Sequence, residues 1–174
     1  MCPPPPALPL SPAHVLLPPP WQDGSAASLK ACERLALSTN QIDRMSSLAG
    51  MDNLKVLSLS RNLVKRIEKL EDVSRTLEEL WLSYNQISSL DGLVSCTALT
   101  TLYLANNRIS DWAEVEKLGA LPALVDLLLA GNPIMEGAPD AATARAMVIK
   151  RVPQIAKLDN VMVKQEERER AKAL

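Results

Sequence analysis

From Cys32 onward the apolar residues recur at a fixed spacing. Five segments share the pattern (L/C)xxLxLxxNx(I/V): CERLALSTNQI at 32–42, LKVLSLSRNLV at 54–64, LEELWLSYNQI at 77–87, LTTLYLANNRI at 99–109 and LVDLLLAGNPI at 124–134. Their asparagines, Asn40, Asn62, Asn85, Asn107 and Asn132, follow one another at steps of 22, 23, 22 and 25 residues. The LxL triplets have strand periodicity, with side chains alternating between two faces. After each of the first four asparagines, apolar residues fall at offsets 2, 5, 8 and 11: Ile42, Met45, Leu48, Met51; Val64, Ile67, Leu70, Val73; Ile87, Leu90, Leu93, Cys96; Ile109, Trp112, Val115, Leu118. A spacing of three predicts a short 3-10 or helical return whose inner face packs on the core.

Each repeat is thus a short strand, an Asn turn and a helical return. One such unit cannot bury its own apolar face, so neighbours must stack. The period and signature are those of leucine-rich repeats. The predicted fold is an α/β solenoid, with a short parallel sheet on one face, helical or 3-10 returns on the other and a C-terminal helical cap. The five asparagines read as a structural ladder rather than as catalytic groups. A buried Asn amide pairs backbone groups in its own and the adjacent turn, and leaving such groups unpaired costs about 1–3 kcal/mol each.

Three regions follow: a Pro-rich tail over 1–25, five repeats over 26–134, and a cap with a charged helix over 135–174. Residues 1–20 hold nine of the thirteen prolines and no acidic or basic residue except His14. That stretch predicts a polyproline-like or disordered tail, because Pro fixes φ and removes a backbone donor. After Ile134 the pattern breaks. Asp140 is a candidate N-cap for a helix from about Ala141 to Val152, stopped by Pro153. Ile155 and Leu158 resume strand-like spacing, and KQEERERAKAL reads as a charged helix. An open solenoid end exposes core and sheet edge, so this segment is predicted to cover it.

Composition narrows the function. Nineteen basic against twenty acidic residues give a net charge of −1, which argues against a general grip on nucleic acid or anionic lipid. A single His, His14, removes most Ser–His–Asp, Cys–His and His-ligated metal chemistry from consideration. No enzyme, cofactor or metal is predicted. Cys2, Cys32 and Cys96 have no CxxC spacing and read as free thiols. With no Lys or Arg before Lys30 and no apolar run of the ~20 residues a span needs, the sequence predicts an intracellular, soluble protein.

The candidate chemistry is therefore recognition, and the outward columns of the strand face carry it. The central column is Ala36, Ser58, Trp81, Tyr103 and Leu128. One flank is Arg34, Val56, Glu79, Thr101 and Asp126. The other is Ser38, Ser60, Ser83, Ala105 and Ala130, small enough for a partner to approach closely. A row of three large apolar groups with a polar rim has the anatomy of a protein interface. Trp81, Tyr103, Leu128, Val56, Glu79 and Arg34 are the candidate contacts. Lys164, Arg168, Arg170 and Lys172, mixed with Glu166, Glu167 and Glu169, read first as a solvated helix face. The sharper reading, contact with an acidic surface such as a microtubule, rests on Arg168 and Arg170.

At LSTNQI, TLEELWLSYNQISSLDGL, LYLANNRISDWAEVEKL, LLLAGNP and KRVPQIAKLD the sequence resembles the axonemal dynein light chain 1 family, the leucine-rich-repeat light chain of outer-arm dynein. The likeness covers about residues 19–163. LEELWLSYN and DWAEVEKL, in order and at the right repeats, are its most specific parts. The resemblance implies association with a dynein heavy chain at the microtubule-binding end of its stalk, a role in ciliary and flagellar beating, and no nucleotide or metal on the light chain. Two features depart from the family pattern: a Pro-rich segment replaces the amphipathic N-terminal helix, and the acidic C-terminal tail is missing. The alternatives are a leucine-rich-repeat regulator of protein phosphatase 1 and another interaction scaffold such as a spliceosomal repeat protein.

Overall fold

The computed structural model describes residues 30–174. The Pro-rich tail, His14 and Cys2 lie outside the described residues. Seven strands form one sheet in chain order: β1 (Arg34–Ala36), β2 (Val56–Ser58), β3 (Glu79–Trp81), β4 (Thr101–Tyr103), β5 (Asp126–Leu128), β6 (Lys157–Leu158) and β7 (Val161–Met162). The first six are parallel and β7 turns back antiparallel on β6. Equivalent repeat positions are aligned, so Ser58, Trp81, Tyr103 and Leu128 form one row and Val56, Glu79, Thr101, Asp126 and Lys157 another. The inward column, Leu57, Leu80, Leu102, Leu127 and Leu158, is buried along its length.

The strands end after three residues because the chain turns sharply within each repeat. The residue before each asparagine has positive φ: Thr39 at 61°, Arg61 at 57°, Tyr84 at 59°, Asn106 at 55° and Gly131 at 72°. For a non-Gly residue this conformation costs roughly 1–2 kcal/mol. The asparagine that follows offsets that cost. Asn85 Nδ2 donates to Leu82 O of its own repeat at 2.9 Å and to Leu59 O of the preceding one at 3.0 Å, while its Oδ1 accepts from Val64 N at 3.0 Å. Asn62, Asn107 and Asn132 repeat this pattern.

The expected five-rung ladder has four full rungs. Asn40 is exposed and donates only within its own turn, to Leu37 O at 2.9 Å and Ser38 O at 3.2 Å. No described repeat precedes it to accept its other bonds. The same position in the stack leaves Leu35, Leu37 and Ile42 only partly buried.

On the opposite side the returns are 3-10 turns at Glu71–Val73, Asp91–Leu93 and Leu118–Ala120, and the helix α1 (Trp112–Lys117). Of the sixteen residues at offsets 2, 5, 8 and 11, all are buried except Ile42 and Trp112. The Trp112 ring instead lies under the Arg151 guanidinium at 4.8 Å. From α1, Glu114 reaches back one repeat: Oε2 accepts from Leu90 N at 2.7 Å and Ser89 Oγ at 3.1 Å. Burial alone would raise its carboxyl, but the bonds from Lys117, Leu90 and Ser89 hold it below its ordinary range.

A short helix α2 (Pro133–Glu136) leads into α3 (Ala141–Arg151), whose N-cap Asp140 accepts from Thr143 N at 2.7 Å. Helix α4 (Gln165–Ala173) packs on α3. Three polar side chains seal this end. Asp159 Oδ1 accepts from Leu129 N at 2.7 Å and Ala130 N at 2.9 Å, just past β5, where a further repeat would otherwise offer backbone carbonyls. Gln154 Nε2 donates to Leu118 O at 3.0 Å and Leu121 O at 2.9 Å. Arg145 joins Glu167 of α4 at 2.7 Å and Leu158 O of β6 at 2.8 Å. Cys96 is a buried free thiol, and burial pushes it up to about 11. Cys32, expected as a free thiol, is disulfide-bonded.

Candidate partner-binding face

The row predicted from repeat spacing is formed. Trp81 and Tyr103, in register on β3 and β4, stack with ring centroids 6.0 Å apart and 20° between planes. Leu128 continues the row on β5, and all three are partly exposed. Parallel strands about 4.8 Å apart impose this spacing on any two rings at the same repeat position.

The rest of the face is less open than the columns imply. Val56 is 8% exposed and Ser58 7%, so Val56, expected as a contact, is covered where the row begins. An outward position need not be accessible when its neighbours are larger. Ser83 and Ala105 are likewise buried. Arg34 stands exposed on β1, two strands from Trp81, while Glu79 is partly exposed beside the stacked pair.

Sequence reasoning missed the polar network that braces the aromatics. Tyr103 Oη donates to Asp126 Oδ2 at 3.1 Å, and Lys157 Nζ donates to the same oxygen at 2.9 Å. Burial, and then the neighbouring Asp126 carboxylate, pushes the phenol above its ordinary value. Bonding to Asp126 raises the Lys157 ammonium in turn. Lys157 is 31 residues from Asp126 and outside the five repeats, so the repeat alignment held no signal for it. Three buried polar atoms on this face, Trp81 Nε1, Ser83 Oγ and Asp126 Oδ1, have no hydrogen-bond partner among the described residues.

Arg168 and Arg170 lie on the cap, away from this row. Arg168 donates to Pro153 O at 2.8 Å and Ile155 O at 2.7 Å. Arg170 donates to Thr143 Oγ1 at 2.8 Å, and pairs with Asp140 at 3.7 Å. Both tie α4 to the segment before it. A further exposed pair, Arg61 over the Tyr84 ring at 4.7 Å, sits on the turn ridge, where the column reading did not look.

The family model "Leucine Rich repeats (2 copies)" matches residues 75–117. Over 162 residues the chain is 50% identical to a dynein axonemal light chain 1 of Chlamydomonas reinhardtii, covering 91% of this chain and 82% of that one. It is 45% identical to the Danio rerio protein of the same name, over 83% of this chain and 76% of that one. The chain belongs to the dynein axonemal light chain 1 family. The Homo sapiens member is 45% identical over 81% of this chain and 74% of its own length. Among solved structures, the Drosophila melanogaster SNF/U2A′ complex contains a chain with TM-score 0.68 and 24% identity, covering 80% of this chain and 79% of that one. That likeness establishes the leucine-rich-repeat fold alone.

Proposed function

We propose that this chain is a non-catalytic light chain of outer-arm axonemal dynein that binds a heavy chain near its microtubule-binding stalk tip and tunes ciliary or flagellar beating. As a member of the axonemal light chain family it works in the cilium or flagellum axoneme. The observation that carries the heavy-chain reading is the stacked Trp81–Tyr103 pair, extended by Leu128, on the strand face. Such rings sit at the centre of energetic hot spots when a partner buries them, each worth about 2 kcal/mol or more. Nothing in the repeat core requires them, since the inward leucines already fill it.

The test is the double substitution Trp81→Ala with Tyr103→Ala. Circular dichroism is expected to report a folded protein. Affinity for a recombinant heavy-chain stalk domain is expected to fall at least about tenfold, or about 1.4 kcal/mol. Native affinity in the double variant would move the interface elsewhere. Capture from ciliated cells addresses the partner class: heavy chain supports the reading, whereas phosphatase 1 catalytic subunit in its place would favour the regulatory-subunit alternative.

A further inference from the structure

The turns that follow the strands line up into a ridge past the C-terminal ends of β1 to β5. Backbone bonds hold their order: Leu63 N donates to Ile42 O at 2.8 Å, Gln86 N to Val64 O at 2.9 Å and Arg108 N to Ile87 O at 2.8 Å. Equivalent positions of successive repeats therefore sit side by side, about 4.8 Å apart. Five exposed cations share this ridge: Arg44, Arg61, Lys65, Arg66 and Arg108. None forms an ion pair with a described residue. Asp43 stands beside Arg44, and Asp111 is engaged as the N-cap of α1. Between them, residues 61–66 and 84–89 hold three basic side chains and no acidic one. In a chain of net charge −1 this is a local concentration of positive charge, not general basicity.

A second observation is conformational. The residue before each ladder asparagine has positive φ, which Asn and Gly adopt at least cost. Asn106 and Gly131 fill that position in the fourth and fifth repeats. The second and third put Arg61 and Tyr84 there, with the guanidinium 4.7 Å over the ring. Tyr84 is 50% exposed and Leu63, two residues after Arg61, 43%. Backbone strain kept under side chains that do not fill the core marks a surface used for contact.

We propose that this turn ridge docks an extended acidic polypeptide segment, which crosses the first four repeats with its carboxylates against the five cations and an apolar side chain against Tyr84 and Leu63. The ridge is separate from the strand-face row, so the inference does not depend on what occupies that row. Charge complementarity identifies the segment. Four of the five cations are arginines, whose guanidinium forks pair with carboxylates bidentately. Stacking on Tyr84 holds Arg61 in place before a partner arrives, which lowers the entropy lost on binding. From the first repeat to the fourth the ridge spans roughly 15 Å, the length of about four or five extended residues. A single-stranded nucleic acid fits less well, because Tyr84 stands alone and already carries Arg61, leaving no succession of rings for stacked bases.

Fluorescence anisotropy with a labelled octaglutamate peptide at low ionic strength tests this. The wild-type chain is expected to bind octaglutamate and not octaglutamine, with affinity falling as salt is added. Arg61→Asn copies the residue of the fourth repeat. It is expected to weaken binding at least about threefold while melting close to wild type, since relief of the positive-φ strain offsets the lost stack over Tyr84. Adding Arg66→Gln is expected to bring the loss to about tenfold or more. Arg75→Gln with Lys150→Gln removes equal charge from exposed sites outside the ridge, and is expected to change affinity less than about twofold. If that control pair loses as much as the ridge pair, affinity follows net charge and the inference is overturned. If Arg61→Asn melts well below wild type yet binds octaglutamate as before, Arg61 braces the turn and the inference fails. Absence of octaglutamate binding by the wild-type chain overturns it as well. So does tighter binding of a thymidine octanucleotide, which would make the ridge a nucleic-acid surface.

Discussion

Asn85 Oδ1 accepts the backbone N–H of Val64, so one side chain ties the turn of the third repeat to the start of the return in the second. Its amide nitrogen closes the remaining gap, bonding Leu82 O of its own repeat and Leu59 O of the neighbour. Asn85→Ala removes these bonds, and a longer one to Ser83 O at 3.5 Å, from a buried turn. It is expected to destabilise the fold by roughly 3 kcal/mol or more. Asn40→Ala, at an exposed turn with bonds to its own loop alone, should cost under about 1 kcal/mol. Urea unfolding of the two variants checks the contrast; equal losses would remove the case for a ladder between repeats.

Gly92 is a second place where stacking leaves no slack. A Cβ built there would collide with the backbone carbonyl of Ile67 in the preceding return. Gly50 has φ +84° but open space around it. Gly92→Ala should therefore cost about 2 kcal/mol or more by forcing two returns apart, and Gly50→Ala about 1 kcal/mol from backbone strain alone. Chemical denaturation of both proteins decides; a Gly92→Ala variant no weaker than Gly50→Ala would mean that the returns are not held this closely.

The repeats were legible because every one restates the same spacing. The register of the aromatic row, the burial of fourteen of the sixteen return residues and the Asp140 cap followed from counting positions. What the sequence hid are contacts whose two ends share no period. Lys157 meets Asp126 because β6 adds itself to β5, and Asp159 substitutes for a repeat that is not there. Val56 was misread for a related reason: alternation assigns a side chain to a face, whereas accessibility depends on the size of neighbours in adjacent strands. At Asn40 the motif is complete, but its role requires a preceding turn, and a motif does not reveal whether it stands first in the stack.

Glu167 links stability to pH. Its carboxyl is held below the ordinary value of 4.5, first by the Arg145 bond, against the opposing effect of burial and with help from Lys164 N. A carboxyl depressed by folding contributes in full above its unfolded value. That contribution is lost as pH falls through the lowered folded value. Glu114, also depressed, acts in the same direction. The protein should lose stability progressively below about pH 4.5. Glu167→Gln should be less stable than wild type near neutrality, with the gap narrowing in acid. Urea midpoints measured across that range check it, and a constant gap would show that the Arg145 pair does not control the linkage.

Arg168 and Arg170 separate stability from recognition at the cap. The two lie two positions apart on α4, and their guanidinium groups do different work. Arg168 satisfies two carbonyls, Pro153 O and Ile155 O, just where α3 has ended and the chain enters β6. Removing the arginine takes away the side-chain donor to both oxygens. Arg170 makes an exposed bond to Thr143 Oγ1 and a long ion pair with Asp140, of the kind that contributes little in water. Arg168→Ala is therefore expected to lower stability by roughly 1–2 kcal/mol, and Arg170→Ala to stay within about 0.5 kcal/mol of wild type. Neither should change affinity for the heavy-chain stalk domain at the strand face by more than about twofold, since both lie outside the aromatic row. Microtubule co-sedimentation of the isolated light chain supplies the opposing outcome. If Arg170→Ala leaves melting untouched but abolishes co-sedimentation, the cap helix is a contact surface for an acidic lattice as well as a lid on the repeats.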